Sequence, residues 1–577
     1  MLDVLIQNGT VIDGTGRPGF QADVGVEDGR ITLVGRADGA EAEATIDATG
    51  KMVCPGIIDP HSHADLSMFR EGHERMLDPL VRQGITTFVG GNCGMAMAPI
   101  EEKNRRAVGT YLSVFTQVDM KRDVQWRSMG EFLDQVESQG LVMNSAVLAP
   151  HGLLRLNACG MEMRPATGGE IAHMRRSLEE ALDAGAVGLS TGLQYFPGSQ
   201  SDTEELVQLG QVLHRKDGIF TSHIRSYTGS TLDNAIDEVC EVAERSDIRA
   251  QISHMFWIPD FGVFGKPVRA GIRGLAKLSK WWTAPIPLAG GIGQRIERMV
   301  ETRKRGVNVA MDAMPTTTGF THLLAFFPPW ALEGTSREVL ERMQNPIQRK
   351  RMLHSIEHGK MKWPHTGPDA WSLNLFRLMG WQCARIMAVA SEQNKHYEGM
   401  RLVDIARERG MHPFDAACDL LLEEDGQVLV FESMAEPGDR FTERSIFAGM
   451  AHPEVMISTD AILMGFGRPS TLFYGAYPWF VQRYVRELGL LPIEAAVRKM
   501  TSLAAEHFHL KARGTVAEGN HADLLVFDYD SIGSTATFLE PEQYPTGIEH
   551  VFINGHHVVD GAEFRPDAKP GQLLRSA

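Results

Sequence analysis

Eight short apolar runs of β type recur along the middle of this 577-residue chain, and most are separated by stretches with apolar residues at helical spacing. They are GIIDPHSHAD, ITTFVGGNCG, MNSAVLAPHG, AVGLSTGLQY, GIFTSHIRS, RAQISHMF, VNVAMDAMP and EVMISTDAI, with TGGEIAHMRRSLEEALDAGA a typical helical spacer. Such alternation admits few architectures. Eight units predict a (β/α)8 TIM-like barrel within residues 56–511; a doubly wound open sheet reads similarly. The first 50 residues differ, being short alternating strands broken by turns, and the same texture returns in ADLLVFDYD and GIEHVFINGHHVVDG. Residues 1–55 and 512–577 are therefore expected to join into one small β-sandwich beside the barrel.

Polar residues fall at the ends of these runs in a way that matters more than the count. His61 and His63 end the first run, and Cys93, His223, His254 and Asp460 sit at or near the ends of four others. In a barrel the C-terminal ends of the strands converge on one mouth, so residues distant in sequence become neighbours. His61 and His63, two apart on an extended segment, point to the same side. Each residue alone has a plainer explanation: Cys93 as a small buried hydrophobe, His223 and His254 as core histidines, Asp460 as a helix cap. One metal centre accounts for all five segments at once. Imidazole and thiolate donors favour zinc, whereas the carboxylate suits a second site or a base. Glycines at 90, 91 and 94 clear space around the thiol.

Bulk properties exclude several classes. Asp and Glu outnumber Lys and Arg by 73 to 57, a net charge of −16, which argues against nucleic acid or an anionic membrane as partner. No stretch approaches the roughly 18 uninterrupted apolar residues of a membrane span, and MLDVLIQNGTVIDG lacks the form of a signal peptide. Six cysteines without paired spacing suit a reducing compartment, and a cytoplasmic location is expected. A homo-oligomer is compatible with the sequence, which leaves the oligomeric state open.

PGIIDPHSHAD resembles the first-strand signature of the amidohydrolase superfamily. GGNCGMAMAP, APHGLLRLNACG, GAVGLSTGLQYFPG, PPWALEG and KMTSLAAEHFHLKARGTVAEGNHADLLVFD resemble its D-aminoacylase (N-acyl-D-amino-acid deacylase) branch, and the likeness runs over nearly the whole chain. Other branches bridge two metals through a carboxylated lysine or a glutamate; the cysteine motif is particular to this one. The resemblance implies a zinc-dependent amide hydrolase acting on N-acyl-D-amino acids. Cys93, His223 and His254 would hold the tighter zinc, His61 and His63 with Asp460 a second and weaker position, Asp460 would be general base and then acid, and Tyr195 would lie over the substrate amide. The alternatives are a hydrolase of cyclic amides of the hydantoinase kind and a non-catalytic scaffold relative.

Two features depart from that branch. IRSYTGS after His223 and AILMGFGRPSTLFYGAYPW after Asp460 lack the residues expected of relatives, leaving the identity of the acyl-amino acid open. Arg225 and then Arg468 are the candidates for a guanidinium clamp on a substrate carboxylate, the alternative for each being a structural ion pair. Extra length around residues 256–305, rich in aromatics, is expected to form a lid or pocket wall, or else a surface insertion packing on itself.

Overall fold

The computed structural model describes every residue except 117, 283–285, 287, 360–362, 364–370, 372, 464, 562 and 577, so part of the aromatic stretch around 283–287 lies outside the described residues. Ile57–Asp59, Ile85–Gly90, Asn144–Val147 continued by Ala149–Pro150, Gly188–Gly192, Ile219–His223, Arg249–Ile252, Val309–Ala313 and Val455–Ile457 run parallel in chain order, each beside the next. The ring closes between the last and the first. Ser62 bridges Ala461, Asp460 N–H donates to His61 O at 2.9 Å, and His63 N–H donates to Ala461 O at 2.8 Å. All eight anticipated runs are strands of one closed barrel among the described residues, and the open-sheet alternative falls. Their side chains are almost wholly buried, as a parallel sheet covered by helices requires.

Strands from both termini share a single nine-stranded sheet. Met52–Pro55 pairs antiparallel with Leu524–Phe527, joining the N-terminal strands to the C-terminal ones around a separate apolar cluster that includes Val4, Ile6, Val24, Val526 and Phe552. The tail then leaves the sheet and returns to the barrel: Ser145 N–H donates to Gln572 O at 2.9 Å, and Leu574 N–H to Ser145 O at 2.7 Å.

A further insertion, not anticipated from the sequence, lies later in the chain. Between the seventh and eighth barrel strands a three-stranded antiparallel sheet is built from Gly319–His322, Ala384–Val389 and Val428–Glu432. Around 256–305 the chain instead forms two helices, Gly265–Leu278 and Gly290–Lys304, and the second packs on the seventh barrel strand as an ordinary barrel helix. Trp281 and Trp282 are 83% and 59% exposed, so these two aromatics face solvent and not a pocket.

A buried polar hub ties the tail to the barrel. Arg513 pairs with Asp523 and donates to Asn554 Oδ1 at 2.9 Å and Gln572 Oε1 at 3.0 Å, while Asp523 also accepts from Asn554 N–H at 2.8 Å and from Asn144 of the third barrel strand at 3.2 Å. Asp523→Ala leaves the guanidinium buried without its counter-charge and should destabilise the protein by about 3–5 kcal/mol. Denaturant unfolding measures this; a loss below about 1 kcal/mol would mean that the hub is dispensable.

Candidate metal centre

Each donor arrives from the C-terminal end of a barrel strand. Cys93 Sγ lies 3.4 Å from His61 Nε2, 3.6 Å from His223 Nδ1 and 3.5 Å from His254 Nε2, and these last two nitrogens are 2.9 Å apart. Asp460 Oδ1 stands 3.2 Å from both His61 Nε2 and His63 Nε2. The donor atoms fall into two groups, His61–His63–Cys93–Asp460 and Cys93–His223–His254, within 4.8 Å in each case and sharing the sulfur. Tetrahedral ligation with bonds of 2.0–2.3 Å separates donors by roughly 3.3–3.6 Å, which matches the distance from the sulfur to each of the three imidazoles, while His223 Nδ1 and His254 Nε2, at 2.9 Å, stand closer than that. A third group, His550, His557 and Asp560, lies on the terminal sheet, where the two rings already contact each other at 3.1 Å and Asp560 pairs with Arg565.

The backbone is bent to present these atoms. Cys93, His254 and Asp460 have φ of +53°, +35° and +53°, a left-handed region that non-glycine residues adopt at a cost of roughly 1–3 kcal/mol. Glycine is required beside Cys93: a Cβ on Gly91 would sit 2.3 Å from Leu148 O, and one on Gly94 2.9 Å from Gly192 N. Both glycines also take positive φ.

A surrounding shell fixes which ring nitrogen faces the sulfur. His223 Nε2 meets Gln194 Oε1 at 2.9 Å, which leaves Nδ1 inward; His254 Nδ1 meets Tyr227 OH at 3.1 Å, which leaves Nε2 inward. Asp312, ending the seventh strand, accepts from His254 N–H at 2.9 Å, Gln251 at 2.6 Å and Ser458 at 2.7 Å, and stands 3.8 Å from His61 Nδ1. Gln194, Tyr227 and Asp312 were not singled out from sequence. Asp312 could have been, because it obeys the same strand-end rule as the donors; Gln194 and Tyr227 carry no signal apart from adjacency to Tyr195 and to the His223 segment.

Charge in the centre is set by these neighbours. Burial opposes ionisation of Cys93, yet the imidazoles of His61, His223 and His254 hold its thiol well below the ordinary range. Burial likewise opposes the Asp460 carboxylate, and His61 and His63 hold it far below. Burial and neighbouring His254 push His223 down to about 4, so that ring is neutral and free to donate a lone pair. Against the effect of burial, Cys93 and Asp460 hold His61 well above the usual imidazole range and His63 up to about 9, so a cation there would displace their protons; with a thiolate, a carboxylate and a neutral His223, the donor set fits a divalent cation.

Beside the donors opens a pocket lined in part by His63, Cys93, His223, His254, Asp460 and Tyr195. The Tyr195 ring lies 4.6 Å from that of His223, and its OH accepts from Thr321 Oγ1 at 3.4 Å. The inserted sheet supplies Gly319, Phe320, Thr321 and Glu432, and Phe256 comes from the start of the aromatic stretch. Burial pushes the Glu432 carboxyl up to about 7. The two expected clamps are not there. Arg225 is fully buried, donating to Glu238 at 2.6 Å and to the carbonyls of Ser199 and Ser201 at 3.1 and 2.6 Å. Arg468 donates to the carbonyls of Phe538 and Leu539 at 3.1 and 2.8 Å. Internal partners take up Arg225, carbonyls bind only Nη1 of Arg468, and neither guanidinium lines the pocket, which departs from the expectation of a carboxylate clamp at either position.

Because both donor groups share the sulfur, Cys93→Ala should leave dialysed protein with little bound metal. Tyr227→Phe removes the contact orienting His254, together with the hydroxyl's bond from Ile224 N–H, and should weaken metal affinity about 10- to 100-fold. Elemental analysis and chelator competition read both; full metal retention by Cys93→Ala would contradict the shared-sulfur arrangement.

Known proteins share this arrangement of segments from end to end. A model of the amidohydrolase family matches residues 437–559. Over 575 residues the chain is 31% identical to N-acyl-D-glutamate deacylase and 29% identical to D-aminoacylase, both of Alcaligenes xylosoxydans xylosoxydans, covering 100% of this chain and 96% and 98% of theirs. Among solved structures it resembles a D-aminoacylase with TM-score 0.76 at 27% identity, all of both chains being covered. It also resembles N-acyl-D-glutamate deacylase from Bordetella bronchiseptica, solved with zinc and a phosphonate inhibitor, with TM-score 0.74 at 28% identity over 100% of this chain and 99% of that one. Likeness to a D-hydantoinase at 14% identity and TM-score 0.51 speaks for the barrel fold alone. With donors, fold and full-length identity in agreement, the chain belongs to the D-aminoacylase branch of the amidohydrolase family.

Proposed function

We propose that this protein is a zinc-dependent amide hydrolase that cleaves the N-acyl bond of N-acyl-D-amino acids. One observation carries the chemistry: a sulfur shared by two groups of donors, His223 and His254 on one side and His61, His63 and Asp460 on the other, with the Asp460 carboxylate 3.2 Å from the donor nitrogens of His61 and His63 at the edge of a pocket. Preference for the D configuration, and for a linear over a cyclic amide, draws on the relatives named D-aminoacylase, N-acyl-D-glutamate deacylase and N-acyl-D-aspartate deacylase. Zinc draws on the soft sulfur donor and on the zinc complex of the Bordetella enzyme. A scaffold role is disfavoured because the full donor set is assembled.

In this reading Cys93, His223 and His254 would hold the tighter metal, and His61, His63 and Asp460 would contribute a second position. A divalent metal bound there acidifies water and polarises the scissile carbonyl. Asp460 takes a proton as the water oxygen bonds to the carbonyl carbon, then returns it to the amide nitrogen as the C–N bond breaks, releasing a carboxylic acid and a free amine. Tyr195, packed over His223, borders the position of the amide. Gln194 and Tyr227 hold the imidazoles in register, so that the reacting atoms meet a fixed frame.

Zinc-loaded protein incubated with N-acyl-D- and N-acyl-L-amino acids and with hydantoins should release free amine from the D series. Turnover confined to hydantoins would favour the cyclic-amide reading, and no turnover at all the scaffold. Asp460→Asn should lower kcat by about 10²- to 10⁴-fold with a smaller change in KM; an equal loss in both would assign Asp460 to binding.

A further inference from the structure

Glu432 ends the middle strand of the inserted sheet and lines the pocket, yet belongs to neither group of metal donors. Its Oε2 is shut away from solvent and has no hydrogen-bond partner among the described residues. A carboxylate so placed is costly to keep unless something completes it. Room is made for it: Gly319 pairs with Glu432 in register, and a Cβ there would stand 2.9 Å from Glu432 Oε1.

The rest of that pocket has no cation of its own. Met95, Phe115, Phe256, Met314, Phe320 and Ile462 make its apolar wall, and none of the described lining residues is a lysine or an arginine. An apolar wall followed by a lone acid suits a long side chain with an alkyl stem and a positive head, and the aromatic rings add attraction for a cation. A second carboxylate on the substrate at this point would meet Glu432 as a like charge.

We propose that Glu432 is a specificity-determining residue that receives the ammonium or guanidinium head of a basic side chain, so that the preferred substrates are N-acyl-D-amino acids of the lysine and arginine type. This rests on the amide-hydrolase reading and names the substrate class within it. It sets the chain apart from the two relatives named for N-acyl-D-glutamate and N-acyl-D-aspartate.

The test compares kcat/KM for N-acetyl-D-arginine, N-acetyl-D-norleucine and N-acetyl-D-glutamate at about pH 8 in the zinc-loaded wild type, Glu432→Gln and Glu432→Asp. In the wild type the arginine substrate should exceed norleucine by about 10- to 100-fold, the usual worth of a charge-assisted contact, with glutamate lowest. Glu432→Gln should bring the arginine-to-norleucine ratio close to unity, mainly through a raised KM for arginine, and Glu432→Asp should keep part of the preference. Zinc content and melting temperature identify any variant that has failed to fold. Wild-type turnover of norleucine at or above that of arginine overturns the proposal, as does an unchanged ratio in folded, zinc-loaded Glu432→Gln. Turnover without charge preference leaves the hydrolase reading standing, whereas no turnover of any of the three substrates overturns both.

Discussion

The sulfur of Cys93, held between imidazoles from three other barrel strands, is the contact on which the site depends. Its separations of 3.4–3.6 Å from His61, His223 and His254 exist only because the barrel closes and brings strand ends together that are 32 to 161 residues apart in sequence. An open sheet with the same strands would not do this. The seam between last and first strands carries site residues on both sides: Asp460 N–H bonds to His61 O, and Asp59 beneath accepts from Thr459 N–H at 3.1 Å and from Tyr477 OH at 3.2 Å. Closing the fold and aligning the carboxylate with the histidines are thus one event.

Around that core, strain and order are balanced locally. Three donor residues sit in left-handed backbone, and each is over-determined by its surroundings: Cys93 by flanking glycines that clear its turn, His254 by Asp312 and Tyr227, Asp460 by its bond across the seam. The pocket beyond is of different origin. Its wall comes partly from a sheet inserted between the seventh and eighth strands, so the donors belong to the barrel and part of the pocket wall to an addition on it.

Much of this was legible in the chain. Parallel strands buried on both faces write themselves as continuous apolar runs, and histidines, a cysteine and an aspartate at their ends stand out because such residues are otherwise rare in those positions; hence the eight strands, and the residues His61, His63, Cys93, His223, His254 and Asp460 that the barrel brings together, could be picked out. What escaped notice depends on pairing across long intervals. The inserted sheet joins strands from residues 319 to 432 through antiparallel contacts that leave no periodic trace, and with it Glu432 was invisible. Arg225 looked available because its partner Glu238 lies 13 residues on, in the following helix. The aromatic stretch near 256–305 advertised a wall, but of the described residues there only Phe256 lines the pocket.

X-ray absorption at the zinc edge of the metal-loaded protein tests the central claim most directly. The account predicts a sulfur scatterer at about 2.3 Å together with nitrogen or oxygen scatterers at about 2.0–2.1 Å, the sulfur disappearing in Cys93→Ser. A first shell made of nitrogen and oxygen alone in the wild type would contradict it.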